Sequence, residues 1–483
     1  MPRWSRVASV RGAVGFSRFL GGDGLRSRVL RGTAITLGGT AGQQFLRLIS
    51  NLILTRLLFP EAFGLMALIQ TFMTGLVMFS DIGIRPSIIQ NPRGEDPDFL
   101  NTAWTIQIGR GILLWLAACV LAVPVADFYG DPQIRALMPV VGLTALLSGF
   151  VSTKLAVANR QLLLGRLTLI GLGSQIVGLV VTIGLAWIWG SVWALVIGGL
   201  ASGVCGVLAS HWLMPGIPNR LHWDRSAAHD LIRFGRFIFL STIAGFFVNQ
   251  GDKLVLGKLM TFTDLGVYNI GFFMATFPGM LGQTVADRIL FPLYREKPPS
   301  RAPENIHKIR RARGLLTGGM LLLLALLALG GDWLVGLLYD PRYAGAGPIL
   351  IVLALMQIPT ALTLGNGHLL LAEGNSRDFS RLVIIQGILK FAIMFMAFWL
   401  LGLFGVLLTE GLMILITYPL QQYYLNRHRG TDLARDAAFA ALGIGFAVPA
   451  VWVNWNVLAE FVQASRATAP FITGSWQVMP LFH

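Results

Sequence analysis

The chain has 483 residues, of which 54% are hydrophobic and only 13% charged, with a formal net charge of +15. Soluble proteins have about 25% charged residues, so this composition excludes a soluble globular protein and indicates that most of the chain lies in lipid. The two cysteines, Cys119 and Cys205, both fall in apolar segments, and we expect no structural disulfide.

Residues 1–32 form a basic tail that contains seven arginines and one acid, Asp23. Its composition also resembles an organelle transit peptide, although it has no secretory cleavage site. Because basic segments tend to stay in the cytoplasm, we predict a cytoplasmic N-terminus. Counting spans forward places the other basic connections on the same side, so the net charge reflects membrane topology and contact with anionic lipid headgroups rather than nucleic-acid binding.

Apolar windows of 18 or more residues recur along the chain, and each can cross the roughly 30 Å hydrocarbon core as a helix. The sequence predicts twelve spans, at 33–57, 64–90, 103–126, 134–158, 161–188, 191–214, 234–259, 265–294, 314–338, 346–372, 380–401 and 404–425. It predicts a thirteenth span at 436–456, whereas Pro470, Gly474 and Pro480 interrupt the remaining tail. The predicted fold class is an all-α polytopic membrane protein.

The stretch LTRLLFPEAFGL at 54–65 is echoed by LGKLMTFTDLGV at 256–267. A shift of 202 residues superposes Leu54 on Leu256, Arg56 on Lys258 and Gly64 on Gly266. Slightly larger shifts superpose Arg110 on Arg313 and Asp131-Pro132 on Asp340-Pro341. We infer an internal duplication with six spans in each copy, and because six is even, the copies are parallel repeats.

The duplication divides the chain into an N-lobe at 33–214, a cytoplasmic linker at 215–233, a C-lobe at 234–426 and a C-terminal segment at 427–483. Substrate sites tend to lie between such halves, which rock against each other in alternating access. The repeated hairpins of 54–65 and 256–267 are expected on the outer face. This organisation predicts a transporter.

Polar residues recur on one face of the first span of each copy. A charge costs about 2.5–3.5 kcal/mol at the bilayer centre, so a retained charge usually faces a partner or a watery cavity. The stripe in the first span is Thr40, Gln44, Arg47 and Asn51, and the stripe in the seventh is Ser241, Gly245, Asn249 and Asp252, beside Lys253. We predict a hydrophilic cavity between the lobes, lined by Gln44, Arg47, Asn51, Asn249, Lys253 and, from the eleventh span, Lys390.

Four further charged residues are candidates for ion coupling or charge pairing: Asp252, Asp81, Arg85 and Glu410. Asp81 and Arg85 are four residues apart and suit a local ion pair. Asp252 suits a coupling carboxylate and equally a partner that holds Lys253. Coupling to protons or sodium ions is therefore left open.

No metal or other cofactor is predicted, because no group of histidines, cysteines and acids has metal-ligand spacing. His368 is expected to be packed or hydrogen-bonded rather than a ligand. The chain contains no GxxxxGK[ST] loop, which argues against ATP-driven transport. The outer connections are too short to carry the acids of a glycosyltransferase, so we predict no enzymatic activity.

Two segments resemble a known family: RLLFPEAFGL followed by SDIGIRPSIIQ, and RFGRFIFLSTIAGFFVNQGDKLVLGKL followed by LGVYN. They are similar to the polysaccharide transporter family of oligosaccharide flippases, in the superfamily that also contains MATE multidrug exporters and lipid II flippases. The resemblance covers about residues 33–425 and weakens after 430, where such proteins often have two further helices.

The resemblance implies two six-helix lobes in a V shape and export of an undecaprenyl-diphosphate-linked oligosaccharide across a bacterial inner membrane, for surface polysaccharide or exopolysaccharide synthesis. A polysaccharide polymerase and export machinery would be its partners. The predicted cavity suits this substrate, because its cations can bind a diphosphate and its amides can bind hydroxyls. A multidrug exporter, which we expect to have a more acidic cavity, and a membrane glycan polymerase or ligase stay as alternatives. The sequence does not identify the sugar.

Overall fold

The computed structural model describes residues 25–161, 163–235 and 239–467. Most of the predicted basic tail, and the chain after residue 467, lie outside the described residues. Within the described ranges the regular secondary structure is helical, without strands. The expected all-α fold class is therefore confirmed.

The first half contains eight helices: α1 (Leu25–Leu57), α2 (Pro60–Phe79), α3 (Ile84–Gln90), α4 (Pro97–Tyr129), α5 (Gln133–Phe150), α6 (Lys154–Arg160), α7 (Leu164–Trp189) and α8 (Trp193–Trp212). A linker helix, α9 (Arg225–Gly235), follows.

The second half begins with α10 (Phe239–Leu259), α11 (Phe262–Val285), a π-helical segment (Ala286–Leu290), α12 (Phe291–Glu296) and α13 (Pro303–Leu338). It continues with α14 (Ala346–Met356), α15 (Ile358–Thr363), α16 (Asn366–Ala372), α17 (Ser376–Leu401) and α18 (Leu403–Asn426). Two C-terminal helices follow, α19 (Leu433–Val453) and α20 (Trp455–Ala467).

Each of the thirteen predicted spans overlaps between one and three helical segments, and α19 corresponds to the thirteenth. Eleven helices of the described residues are long and apolar enough to cross a membrane. The first helix of each half, α1 and α10, is not among them, because the polar faces noted above lower its hydropathy. The last helix, α20, has 13 residues and a length of about 20 Å, too short to cross the hydrocarbon core.

The prediction of unbroken spans at 64–90 and 134–158 was wrong. The second span breaks after Phe79, where Gly83 adopts a left-handed conformation (φ 64°) and donates its backbone N–H to Asp81. The corresponding span of the second half contains the π-helical segment, and its fourth span breaks at Gly365 (φ 90°). All of these interruptions lie at the end of the bundle that carries the linker, which we call the linker end.

The duplication is visible in local structure. Asp131 accepts a hydrogen bond from the backbone N–H of Gln133 at 2.7 Å, and Asp340 accepts one from Arg342 at 3.1 Å, so both copies start the next helix with the same turn. A further pair of matching motifs was missed in the sequence. Asp81-x-x-Ile-x-Pro and Asp287-x-x-Leu-x-Pro both occur where the second span of a copy becomes irregular.

The repeated hairpins pack against each other at the opposite end, which we call the hairpin end. A Cβ atom on Gly64 would lie 1.9 Å from the carbonyl oxygen of Phe262, and one on Gly266 would lie 1.9 Å from that of Pro60. Pro60 and Phe262 are themselves equivalent under the shift of 202 residues. The contact is therefore reciprocal, and any side chain at either glycine would separate the two halves.

Hydrogen bonds reinforce this seal from both sides. Tyr343, in the second half, donates to the Leu58 carbonyl at 3.1 Å, and Tyr129, in the first half, donates to the Leu254 carbonyl at 3.0 Å. Both phenol oxygens are partly or fully shielded from solvent, which strengthens a hydrogen bond relative to water. The halves are thus joined at the hairpin end in this conformation.

The linker is fixed to the first half. Asp224 accepts hydrogen bonds from the Ser226 side chain and backbone and from Arg93, and its own backbone N–H donates to Thr102. The Ser226 and Arg93 contacts lower the pKa of the Asp224 carboxyl to about 2. Leu231 is buried in a small cluster of apolar residues of the first half. These contacts fix the linker to the first half in this conformation.

Candidate functional site

A cavity of about 630 Å³ lies between the two halves, nearer the hairpin end. Its walls come from α1, α2, α7 and α8 of the first half and from α10 and α11 of the second. This volume falls within the range of about 300–1,000 Å³ that is usual for small-molecule sites. Both copies of the duplication therefore contribute to one chamber.

The charge of this chamber is positive. Its lining contains the cations Arg47 and Lys253, and no carboxylate side chain of the described residues lines it. The remaining polar lining consists of hydroxyls and amides, namely Ser50, Asn51, Gln70, Thr71, Thr74, Gln175, Thr182, Ser202, Gln250 and Asn269. The chamber can thus attract an anion and form hydrogen bonds with neutral hydroxyl groups.

The two cations are held over neighbouring aromatic rings of α11. The Arg47 guanidinium carbon lies 5.0 Å from the Phe273 ring centroid, and the Lys253 ammonium lies 5.0 Å from the Phe272 ring centroid. Neither cation forms an ion pair within the described part of the chain. A cation–π contact orients a cation without neutralising its charge, so both remain available to an anionic ligand.

Asp252 lies behind this wall rather than on it. It is 5% exposed and accepts a hydrogen bond of 2.6 Å from the Tyr268 hydroxyl, which connects α10 to α11. Its second oxygen is buried and has no hydrogen-bond partner among the described residues. This placement is compatible with both roles that the sequence left open.

The expectation that Lys390 lines the same cavity was wrong. Lys390 is 7% exposed, its ammonium lies 3.0 Å from the Glu410 carboxylate, and it donates to the Val248 carbonyl. Its charge is thus neutralised inside the second half. Helical spacing on α17 could not reveal this pair, because Glu410 lies on the next helix.

Gln44 and Asn249 also lie outside the lining. Gln44 is half-buried, and its side-chain oxygen has no hydrogen-bond partner in the described structure. The Asn249 amide donates to the Gly245 carbonyl of its own helix at 2.7 Å, whereas the next residue, Gln250, lines the cavity. One residue turns a helix face by about 100°, which explains the error. The side chain of Ser241 lies outside the described residues.

The predicted local pair of Asp81 and Arg85 does not form. Asp81 receives the Gly83 backbone N–H at 3.0 Å and lies 4.0 Å from the Arg110 guanidinium, while Arg85 is exposed. These charged residues line a second cavity of about 520 Å³ at the linker end of the first half. The break after Phe79 separates Asp81 from the helix that carries Arg85, and so removes the helical spacing on which the prediction depended.

Four amides of the central cavity were missed: Gln70, Gln175, Gln250 and Asn269. Gln70 and Gln175 are the only amide side chains of α2 and α7, and their desolvation cost was a usable signal. The sequence signal for Gln250 and Asn269 is weaker, because each lies beside other polar residues or a turn.

Comparisons with known proteins agree with this architecture. A protein-family model with the description "Polysaccharide biosynthesis protein" matches residues 53–346. The lipopolysaccharide biosynthesis protein WzxC of Escherichia coli is 21% identical over 72% of this chain and 71% of its own length. The succinoglycan biosynthesis transport protein ExoT of Rhizobium meliloti is 23% identical over 66% of this chain and 63% of its own length. The teichuronic acid biosynthesis protein TuaB of Bacillus subtilis is 22% identical over 61% of each chain.

Solved structures show the same fold. The lipid II flippase MurJ, in an inward closed conformation, superposes with a TM-score of 0.67 and 11% identity, over 86% of this chain and 92% of that one. An inward-facing multidrug resistance MATE transporter superposes with a TM-score of 0.53 and 13% identity, over 86% and 97% of the two chains. The chain thus has the two-lobed fold of these transporters.

Proposed function

The chain belongs to the polysaccharide biosynthesis protein family of the multidrug/oligosaccharidyl-lipid/polysaccharide exporter superfamily, and we propose that it flips a lipid-linked oligosaccharide across a bacterial inner membrane. The substrate is an undecaprenyl-diphosphate-linked oligosaccharide, carried from the cytoplasmic to the periplasmic leaflet for surface polysaccharide or exopolysaccharide synthesis. The chain acts by alternating access and not as an enzyme.

One observation carries this proposal: a chamber between the halves contains Arg47 and Lys253 and no carboxylate of the described residues. A diphosphate bears about two negative charges and loses its hydration when it enters the membrane. Two cations without carboxylate partners can replace that hydration with charge-assisted hydrogen bonds, which are roughly twice as strong as neutral ones. The undecaprenyl tail can stay in lipid.

The hydroxyls and amides around the two cations suit the sugar part of the headgroup. Asn51 and Gln250 come from opposite halves and line the same chamber. Amide side chains donate and accept at once, as neighbouring sugar hydroxyls require. The cationic drugs of a multidrug exporter would instead meet two positive charges, so the lining favours the flippase over that alternative.

Topology gives the direction of transport. We infer from the basic tail and linker that the linker end lies in the cytoplasm, and therefore that the sealed hairpin end faces the periplasm. Moving two negative charges out of a cell that is negative inside gains about 4.6 kcal/mol per 100 mV, at about 2.3 kcal/mol for each charge. The membrane potential therefore favours export.

Ion coupling is assigned to Asp252 as the first candidate. Its second oxygen is buried without a described partner, so a proton or a sodium ion would satisfy it. Glu410 is paired with Lys390, and Asp81 lies near Arg110; both carboxylates are weaker candidates for this reason.

A deletion strain and a reconstituted system test the proposal together. Deleting the gene should abolish the surface polysaccharide and leave the lipid-linked precursor in the cytoplasmic leaflet. Purified protein in liposomes should move that extracted precursor between leaflets, as measured by its accessibility to an added lectin. Normal surface polysaccharide in the deletion strain, together with no movement in liposomes, would contradict the proposal, and longer glycan products would instead support a polymerase.

A further inference from the structure

A third cavity, of about 580 Å³, lies inside the second half at the linker end. Its walls come from α11, the π-helical segment, α12, and α15 to α18. We call it the C-half pocket and define it by six polar lining residues: Gln283, Asp287, Asn366, His368, Gln386 and Gln421. None of these residues belongs to the central cavity.

The C-half pocket has no unpaired charge among its described lining residues. Asp287 and His368 are its titratable lining residues, and their side chains lie 2.7 Å apart. The nearby Arg313 donates to the Asn366 side chain at 2.6 Å and to the Gly430 carbonyl. A phosphate group in the C-half pocket would therefore have no unpaired cation to bind, unlike in the central cavity.

Four amides dominate the polar surface of the pocket. Asn366 and Gln421 are 3% and 4% exposed and are joined by a hydrogen bond of 3.2 Å. Gln283 is exposed and Gln386 is half-buried, and the Gln386 amide donates to the Thr417 hydroxyl at 3.3 Å. The Thr360 hydroxyl also lines the pocket, and it is buried without a hydrogen-bond partner in the described structure. A buried hydroxyl without a partner costs free energy unless a ligand supplies the missing hydrogen bond.

The pocket also contains two aromatic side chains, Phe291 and Phe379. The Phe291 ring stands 6.4 Å from the His368 ring. A pyranose ring has polar hydroxyl edges and apolar carbon–hydrogen faces, so it matches a pocket that combines amides with aromatic rings. Neither a purely apolar compound nor an anion would contact both the amides and the aromatic rings favourably.

The cavity at the linker end of the first half differs in charge. It is lined by Asp81, Arg85 and Arg110, where the C-half pocket has Asp287 with neutral amides around it. Both cavities occur where the second and fourth spans of a copy are interrupted, but α4 completes the cavity of the first half, whereas α17 and α18 complete the C-half pocket. The C-half pocket has four lining amides, and the cavity of the first half has one, Gln107.

We propose that the C-half pocket binds a neutral sugar ring of the oligosaccharide headgroup and so selects the cargo. This inference rests on the proposed function and deepens it, since the central cavity would hold the diphosphate. Asp287 lies 14 residues beyond Phe273 along α11 and the π-helical segment, a rise of about 21 Å. Several sugar rings in a row span such a distance, so the pocket favours an oligosaccharide over a single sugar.

Binding to the purified full-length chain tests this inference with two probes. One is undecaprenyl diphosphate, and the other is the lipid-linked oligosaccharide extracted from a strain that lacks the gene. The wild-type chain should bind the second probe about tenfold more tightly than the first. In Gln386→Leu and in Gln283→Leu this ratio should fall towards one while the Kd for undecaprenyl diphosphate stays unchanged.

Gln283 is exposed, so its substitution preserves folding even where Gln386→Leu does not. Gln90→Leu, on an exposed position at the linker end of the first half, is the matched control and should keep the wild-type ratio. Equal binding of both probes by the wild-type chain, or an unchanged ratio in both pocket variants, would overturn the sugar site alone. Failure of the wild-type chain to bind either probe would overturn the proposed function as well.

Discussion

The cations of the central cavity and the lysine inside the second half carry the same charge in opposite surroundings. Arg47 and Lys253 lie over phenylalanine rings, whereas the Lys390 ammonium has a carboxylate at 3.0 Å and a backbone carbonyl as partners. A ring orients a cation and leaves its hydrogen-bond donors for a ligand, and a carboxylate occupies them. We infer from this contrast that the partner of a charge in the membrane, rather than the presence of the charge, distinguishes a binding residue from a structural one.

The largest expected effect concerns the two cavity cations. Replacing Arg47 and Lys253 together by alanine removes two charge-assisted contacts of about 1.5–3 kcal/mol each, so transport of the lipid-linked oligosaccharide should fall by at least about 100-fold. Arg47→Ala alone removes one of these contacts of about 1.5–3 kcal/mol, so export should fall by about 10- to 100-fold while the protein stays folded in the membrane. The liposome assay and the amount of surface polysaccharide measure the effect.

Arg47→Lys is the control, because it retains a charge over Phe273 and should retain part of the activity. A wild-type amount of surface polysaccharide in Arg47→Ala would show that this residue is not part of the site. The contrast with Lys390 would then no longer hold.

The second prediction concerns the paired lysine. Lys390→Met leaves the Glu410 carboxylate without its partner, and breaking a buried pair costs about 3–5 kcal/mol, so the thermal melting temperature of the purified protein should drop sharply. The double variant Lys390→Met/Glu410→Leu should recover most of that stability and much of the transport, since well-packed apolar side chains can replace such a pair. A double variant that is stable but inactive in transport would indicate that Lys390 takes part in substrate binding, and would contradict its structural role.

The third prediction asks whether the chamber with the two cations opens at the hairpin end. Gly64→Val places atoms where the Phe262 carbonyl lies, and such overpacking costs about 1–3 kcal/mol, so it should favour the conformation in which the halves are apart. A cysteine at Gln70, in a chain with Cys119→Ser and Cys205→Ser, should then react faster with a membrane-impermeant thiol reagent from the periplasmic side.

Gly109→Val is the matched control, because a Cβ atom at this position meets no described atom within 4 Å. An equal labelling rate in the two glycine variants would show that the glycine contact does not control access.

The smallest effect is expected for an exposed ion pair. Asp224 has a pKa of about 2 in the folded chain, against an ordinary value of 3.8. A lowered pKa means that the contribution to stability is complete above pH 3.8 and is lost as the pH falls towards 2. Limited acid proteolysis should therefore cut the linker at 215–233 faster at pH 2.5 than at pH 5 in the wild type, with no such difference in Asp224→Asn.

Helical periodicity explains which parts of the site could be predicted. Arg47 and Asn51 share one face of α1, and this face lines the chamber, so a pattern within one helix was sufficient. The Lys390 and Glu410 pair joins two helices, and Asp81 lies near Arg110, which is 29 residues further along the chain. Such partners depend on how the helices pack, which one sequence does not show. Their roles in transport stay predictions.

The same limit applies to the fold. Long apolar runs predicted the spans, and the repeated motifs predicted two parallel copies. The interruptions at Gly83 and Gly365 depend on a left-handed backbone, which apolar composition does not show. A glycine in an apolar run is equally compatible with an unbroken helix, so the divided spans and the pockets beside them were not visible in the sequence.

The reciprocal packing of Gly64 and Gly266 has a consequence for the history of the molecule. Each hairpin presents its glycine to the backbone of the other, which is how the identical surfaces of a homodimer meet across a two-fold axis. A six-helix ancestor that assembled as such a pair needs only a fusion of its two genes to give the present chain. Once fused, the copies could change independently away from that shared surface.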